Sequence, residues 1–209
     1  MPARTQPDAD AQLIPRGLSL PGGELRLLQP GDAFELPDTG PPEWAPLVPY
    51  WSVLWRSGLA LGRELAGSRL AGARVLELGC GLGVPSLVAA RAGAQVLATD
   101  GSTEALELVE RNARGNGLGL ETARVDWDCA EELVARGPFD LVLAADVLYE
   151  LPSVHLLLSL LPRLGREVWL ADPDRAVARA FLDRAPRRWS VATSARGEIR
   201  IHKLRAAPL

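Results

Sequence analysis

Two hydrophobic patterns alternate over most of the chain. Short apolar runs, typical of strands buried on both faces, are separated by segments in which apolar positions recur every three to four residues, as in amphipathic helices. The strand-like runs are residues 74–78, 95–99, 122–125, 139–144 and 167–171, and the helix-like segments include 84–92, 103–116 and 151–161. This β-α repetition predicts a mostly parallel sheet with helices on both faces.

The carboxyl-terminal region follows another pattern. Residues 188–194 and 198–204 are rich in β-forming residues and are joined by Ala195-Arg196-Gly197. They predict an antiparallel hairpin that closes one edge of the sheet.

The first 49 residues are rich in Pro, Gly and Asp. Candidate strands at residues 24–28 and 33–36, around Gln29-Pro30-Gly31-Asp32, predict a loose arm ending in a hairpin. A helix is predicted to begin at Trp51, because apolar and small residues recur from there at helical spacing up to Leu65. We therefore expect an arm and hairpin over residues 1–48 and one domain over residues 49–209.

Composition excludes several classes of protein. The chain has 209 residues, 47% of them hydrophobic, and a formal net charge of −3, which disfavours nucleic acid as a partner. Two cysteines, Cys80 and Cys129, are too few for a disulfide framework, and two histidines lack metal-ligand spacing. No apolar run approaches the ~20 residues of a membrane span. We expect a reduced, cytoplasmic protein with no metal and no membrane partner.

Carboxylates mark the ends of the predicted strands, where open parallel sheets bind ligands. They are Glu77, Asp100, Asp126, Asp146 and Asp172. The glycine turn after the first strand, GCGLG at 79–83, has Val84 where a dinucleotide fingerprint needs glycine, and the acids would repel a pyrophosphate. A ligand with a ribose diol and a positive charge fits better, since Asp100 can accept both ribose hydroxyls. S-adenosylmethionine, with its sulfonium and ammonium, is such a ligand.

These motifs resemble a known family. ELGCGLG at 77–83 followed by Asp100 is similar to the first two motifs of class I S-adenosylmethionine-dependent methyltransferases, over about residues 70–205. The resemblance implies an α/β fold: a Rossmann-like, doubly wound, mostly parallel seven-stranded sheet with a carboxyl-terminal antiparallel hairpin and an amino-terminal extension. The implied cofactor-binding residues are Trp55, Glu77, Gly79, Gly81, Gly83, Asp100, Gly101, Asp126, Trp127 and Ala145.

A narrower resemblance is to the electron transfer flavoprotein β-subunit lysine methyltransferases. PYWSVLWRSGLAL at 49–61 is similar to their P-[FY]-W-x-x-x-W-x-x-G-x-A-L segment, DVLY at 146–149 to D-x-[FL]-Y, and DPDR at 172–175 to D-P-G-R. The chain departs at Asp174, where glycine is usual, and at Arg56-Ser57, where Pro-Gly is common. The resemblance implies that Asp146 and Tyr149 are catalytic and that Trp51, Asp172 and Arg175 bind the substrate.

Three of these residues have structural alternatives. Trp51 and Trp55 also suit core packing of an amphipathic helix, and Asp172 also suits capping of the helix that follows Pro173.

The predicted function is methyl transfer to a lysine side chain of a protein. A small-molecule N- or O-methyltransferase, a catalytically silent cofactor-binding protein and a nicotinamide-dependent oxidoreductase remain as alternatives. Base methylation is disfavoured, because Val147-Leu148 stands where such enzymes have a pair of prolines.

Overall fold

A seven-stranded sheet forms the centre of the computed structural model, which describes residues 13–31 and 49–206. The strand order is β5-β4-β3-β6-β7-β9-β8, with β3 to β7 parallel and β9 antiparallel to both of its neighbours. The strands are β3 Arg74–Leu78, β4 Gln95–Asp100, β5 Glu121–Arg124, β6 Leu141–Ala145, β7 Glu167–Asp172, β8 Trp189–Arg196 and β9 Ile199–Ala206. The predicted fold, including the hairpin at one edge, is confirmed.

Helices cover both faces of this sheet. They are α1 Arg56–Leu65, α2 Val84–Arg91, α3 Thr103–Gly115, α4 Glu131–Ala135, α5 Leu151–Leu164 and α6 Ala176–Leu182. A hydrophobic core lies on each face of the sheet, and successive residues of a strand point to opposite cores. Leu143 packs with α1 to α3, whereas Val142 packs with α4 to α6. Among the described residues, no helix is both long and apolar enough to cross a bilayer.

The predicted helix at Trp51 begins later than its pattern indicates. Tyr50–Ser52 form a single 3-10 turn, Val53 is extended at φ −87° and ψ 136°, and α1 starts at Arg56. The reason is a tertiary contact, since the backbone of Trp51 packs against Gly81 at the end of β3. The helix predicted from this spacing was therefore correct from Gly58 to Leu65 and wrong from Trp51 to Trp55.

The amino-terminal hairpin also differs from its prediction. Strand β1, Leu13–Leu20, pairs with β2, Gly23–Pro30, through a two-residue turn at Pro21-Gly22. The predicted strand at 24–28 is thus part of β2, but its hairpin partner precedes it. Strand β1 was not predicted, because it contains Pro15 and Gly17 and both residue types are depleted in strands. The candidate strand at 33–36 lies outside the described residues.

Asn112 of α3 and Asn116, the residue that follows α3, bind the other edge of β2. Asn112 Oδ1 accepts the Leu28 N–H at 2.7 Å and its Nδ2 donates to the Leu28 carbonyl at 3.1 Å. Asn116 makes the same pair of bonds with Arg26, at 2.9 and 2.7 Å. Side-chain amides thereby replace a neighbouring strand, and the hairpin is attached to the seven-stranded sheet through α3.

We expect Asn112→Ala to lower the free energy of unfolding by about 2 kcal/mol, because it leaves the partly buried N–H and carbonyl of Leu28 unpaired. Urea denaturation measures this loss. Asn116→Ala is the control: its bonds are more exposed, water replaces them, and we expect a loss below about 1 kcal/mol. Equal losses in the two variants would contradict the role of burial.

Candidate functional site

Three glycines lie in the turn after β3, and the backbone at each of them lies close to neighbouring residues. Gly79, Gly81 and Gly83 have φ values of 63°, 49° and 73°, a region that L side chains rarely adopt. A Cβ on Gly83 would lie 2.7 Å from Val109, and one on Gly81 would lie 3.1 Å from the Trp51 carbonyl oxygen. Only glycine satisfies both the dihedral angles and the space at this turn.

Glu77 points inward from the same strand. Its side chain is buried, and Oε2 accepts hydrogen bonds from the N–H of Ser86, at 2.9 Å, and from the Ser86 hydroxyl. Burial raises the pKa of Glu77 to about 8. The carboxyl group fastens the turn to the first turn of α2. It exposes no surface to a ligand, so its predicted role in a cation site, which stays a prediction, would be indirect.

Asp100, the last residue of the neighbouring strand β4, binds the same glycine turn. Its Oδ2 accepts the N–H of Gly81 and its Oδ1 accepts the N–H of Ser102, both at 2.9 Å. Burial raises the pKa of Asp100, although these backbone donors oppose the shift. Each carboxylate oxygen can still accept a second hydrogen bond. Asp100 thus retains the acceptors that a ribose diol requires.

The end of β5 lies beside this group. Trp127, at the start of a 3-10 turn, places Cζ2 3.5 Å from the position of a Cβ on Gly79, so the indole lies against the glycine turn. Asp126 Oδ1 lies 3.6 Å from the corresponding position on Gly101, and its exposed carboxylate accepts Arg124 Nη2 at 3.3 Å. The structure therefore brings together the predicted residues at the ends of β3, β4 and β5.

A second carboxylate cluster lies where β6 and β7 end. Arg175 Nη1 donates to Asp146 Oδ1 at 2.6 Å and to Asp172 Oδ2 at 2.9 Å. Asp146, directly after Ala145, has φ 57°, which is uncommon for a residue other than glycine. Burial raises the pKa of Asp146, and Arg175 opposes the shift.

Asp172 has no exposed surface with which to meet a substrate. Its Oδ1 accepts the Arg175 N–H at 2.7 Å, at the start of α6. Arg175 is the residue before α6, and α6 has no side-chain cap, so Asp172 links the loop after β7 to the start of the helix without capping it. Its predicted contact with substrate stays a prediction.

Sequence analysis missed the role of Ser57. Its side chain, in the first turn of α1, is buried, and its hydroxyl lacks a partner of full hydrogen-bond geometry. The hydroxyl lies close enough to Asp146 to lower the pKa of that carboxyl group. No local pattern signals this contact, because α1 and β6 are far apart in the chain.

Three aromatic rings lie close together, and one of them, Tyr149, follows Asp146 by three residues. The ring of Tyr50 is 6.4 Å from that of Trp55 and 6.4 Å from that of Tyr149. Tyr50 is 47% exposed and Tyr149 54% exposed, which is unusual for large aromatic residues. We call Tyr50, Trp55 and Tyr149 the aromatic rim. Tyr50 was not predicted. Trp51 is half-buried and packs against the core, and its predicted contact with substrate stays a prediction.

Comparison with known proteins identifies related sequences. The profile of the lysine methyltransferase family matches residues 51–170. The electron transfer flavoprotein β-subunit lysine methyltransferase of Xenopus laevis is 35% identical over 161 residues, 73% of this chain and 63% of that protein. Histone-arginine methyltransferase METTL23 of Homo sapiens is 33% identical over 107 residues, 46% of this chain and 54% of that protein. This chain spans less than two thirds of either relative.

Solved structures share the fold. The Thermus thermophilus 16S rRNA N2 G1207 methyltransferase, solved with AdoMet and guanosine, superimposes with a TM-score of 0.71 at 16% identity, over 96% of this chain and 52% of that one. At such low identity the similarity concerns the fold alone.

Proposed function

Since this chain belongs to the lysine methyltransferase family, we propose that it transfers a methyl group from S-adenosylmethionine to a lysine side chain of another protein. The observation that carries the proposal is the placement of two different carboxylate groups on either side of the glycine turn. Asp100 ends β4, Asp146 directly follows β6, and the sheet order puts β3 between these two strands.

The residues around the turn fit the cofactor. Close backbone approach at Gly79 and Gly81 leaves room that a Cβ would fill, and Asp100 keeps free acceptors for the ribose. The indole of Trp127 offers a flat surface for adenine, and the Asp126 carboxylate an acceptor for its amino group. When bound, S-adenosylmethionine supplies an electrophilic methyl group on a positively charged sulfur. Its acceptor must then be held within about 3 to 3.5 Å of that carbon.

The acceptor side of the site suits an amine that becomes charged. A lysine amine has a pKa of about 10.4 and must lose a proton before it reacts, which burial against aromatic rings favours. The aromatic rim supplies such rings, Tyr50 and Tyr149 being the exposed ones. Asp146 then stabilises the positive charge that develops on nitrogen. A neutral hydroxyl acceptor would gain less from this carboxylate.

The only lysine of the chain is a poor acceptor itself. Lys203 Nζ lies 2.7 Å from Glu64 Oε1 and 3.7 Å from the centre of the Trp169 ring. Both contacts hold the amine in place, and neither involves Asp100 or Asp146. We therefore propose that the acceptor belongs to another protein, and that the reaction takes place in the cytosol.

Labelled methyl transfer into a cell extract tests the proposal. We expect the purified protein and labelled S-adenosylmethionine to label a discrete protein band, with mass spectrometry placing the methyl group on lysine. The Asp146→Asn variant serves as the control and should label the band about a hundredfold more slowly.

Three results would contradict the proposal. Label that passes a small-pore filter would indicate a small-molecule acceptor. Label on arginine would make the relationship to histone-arginine methyltransferase METTL23 the better guide to the substrate. Cofactor binding with no transfer to any acceptor would indicate a catalytically silent binding protein.

A further inference from the structure

One guanidinium group serves two carboxylates at the ends of β6 and β7. Arg175 Nη1 lies 2.6 Å from Asp146 Oδ1 and 2.9 Å from Asp172 Oδ2. The side chains are 20% exposed for Arg175, 9% for Asp146 and 0% for Asp172. With all three groups ionised, this cluster carries one excess negative charge. Of its two carboxylates, only Asp146 has exposed surface.

Asp172 anchors Arg175 twice. Besides the contact with the guanidinium, its Oδ1 accepts the backbone N–H of Arg175 at 2.7 Å. A fully buried carboxylate is strongly destabilising without a partner, so Arg175 cannot leave Asp172 without a large penalty. The guanidinium is consequently held in place toward Asp146, and it is not free to follow a bound substrate.

Asp146 is held at both its backbone and its side chain. Its N–H donates to the Ala171 carbonyl at 3.0 Å, and its backbone lies in the left-handed region at φ 57°. Arg175 contacts Oδ1 and leaves Oδ2 outside this ion pair. We propose that Arg175 is the positioning residue of the site: anchored by Asp172, it binds Oδ1 of Asp146 and leaves Oδ2 to receive the acceptor amine. This inference rests on the proposed methyl transfer and replaces the predicted contact of Arg175 with substrate.

The charges around Asp146 predict a measurable effect on the pKa of its carboxyl group. Arg175 favours the ionised carboxylate, whereas Asp172 disfavours it by repulsion. Ser57 contributes only a neutral hydroxyl. His202 interacts with Asp174 and with Asp172. Removing the charge of Arg175 and removing that of Asp172 must therefore shift the ionisation of Asp146 in opposite directions.

The experiment compares Arg175→Gln, Asp172→Asn and the control Arg179→Gln in the full chain. Arg179 lies one helical turn further along α6 and pairs with the exposed Asp174, so its loss tests general changes in this region. The pKa of Asp146 is read by carbon NMR of its carboxyl group, assigned with Asp146→Asn, and the pH dependence of single-turnover transfer is measured in parallel.

We expect Arg175→Gln to raise the pKa of Asp146 by about one to three units, the range for loss of an adjacent opposite charge. The acid limb of the transfer rate should move to higher pH by the same amount, because the ionised carboxylate is the active form. Asp172→Asn should move both to lower pH, and Arg179→Gln should move neither. If Arg175→Gln does not fold, the downward shift in Asp172→Asn decides.

Shifts in the same direction, or no shift, would overturn the proposal and leave Arg175 a role in folding alone. The NMR titration separates this outcome from failure of the proposed function. Opposite shifts in a protein that labels no lysine would support the positioning role and contradict lysine methylation. Lysine labelling together with an unchanged pKa of Asp146 in the variants would support lysine methylation and contradict the positioning role.

Discussion

Replacing Asp146 with asparagine is expected to lower the single-turnover rate of methyl transfer by about a hundredfold, which corresponds to about 2.7 kcal/mol of transition-state stabilisation. The variant keeps the shape of the side chain. Asparagine also tolerates the left-handed backbone at φ 57° better than most residues. What it loses is charge, since Asp172 and Arg175 would remain as a neutral pair beside the amine. Cofactor affinity should change little, because only the transition state and product carry the new charge on nitrogen.

The pH dependence of the rate provides a second measure of Asp146. Burial raises the pKa of this carboxyl group, so the ionised, active form should be lost at a pH above about 3.9, the ordinary value for aspartate. Activity of the native protein should fall as the pH falls through that raised value, and Asp146→Asn should lack this limb. Glu150→Gln, an exposed substitution four residues away, is the control. A native rate in Asp146→Asn would exclude Asp146 from charge stabilisation.

The other large effect is expected at Asp100, where alanine should weaken binding of S-adenosylmethionine by about ten- to a hundredfold, or about 1.5 to 3 kcal/mol. The structure adds to the ribose argument. The same carboxylate accepts the N–H groups of Gly81 and Ser102, so its removal also loosens the glycine turn. We therefore expect a value near the upper end of that range.

Calorimetric titration with S-adenosylmethionine and with free adenosine tests this assignment. Both ligands contain the ribose, so both should lose the same affinity in Asp100→Ala. Asp128→Ala, which removes an exposed carboxylate two residues after Asp126, should leave both affinities unchanged. Thermal unfolding of each variant measures how far the turn itself is loosened. Unchanged binding in Asp100→Ala would remove Asp100 from the ribose role.

Local features of the chain determined most of the fold and part of the site. Hydrophobic periodicity predicted β3 at its observed bounds and the other parallel strands to within two residues at either end. The glycine turn and Asp100 were also predicted from sequence, because a strand end, a turn and the next strand end lie within a short segment and each has a local signature. The strands, the glycine turn and Asp100 can be placed from the sequence because the spacing of residues along the chain is enough to determine each of them.

Contacts between distant segments decided the rest. Glu77 and Asp172 end strands as predicted, yet both are buried, and their partners Ser86 and Arg175 decide that they hold the site together from within. The pairing of Asp146 with Arg175 spans 29 positions, and that of Leu28 with Asn112 spans 84. Whether a carboxylate faces solvent or a buried donor depends on which elements pack over it. The sequence by itself therefore determined which residues stand at the strand ends, and only the tertiary structure decided which of them can meet a ligand, because burial and pairing of a charge depend on groups that the chain brings together from far apart.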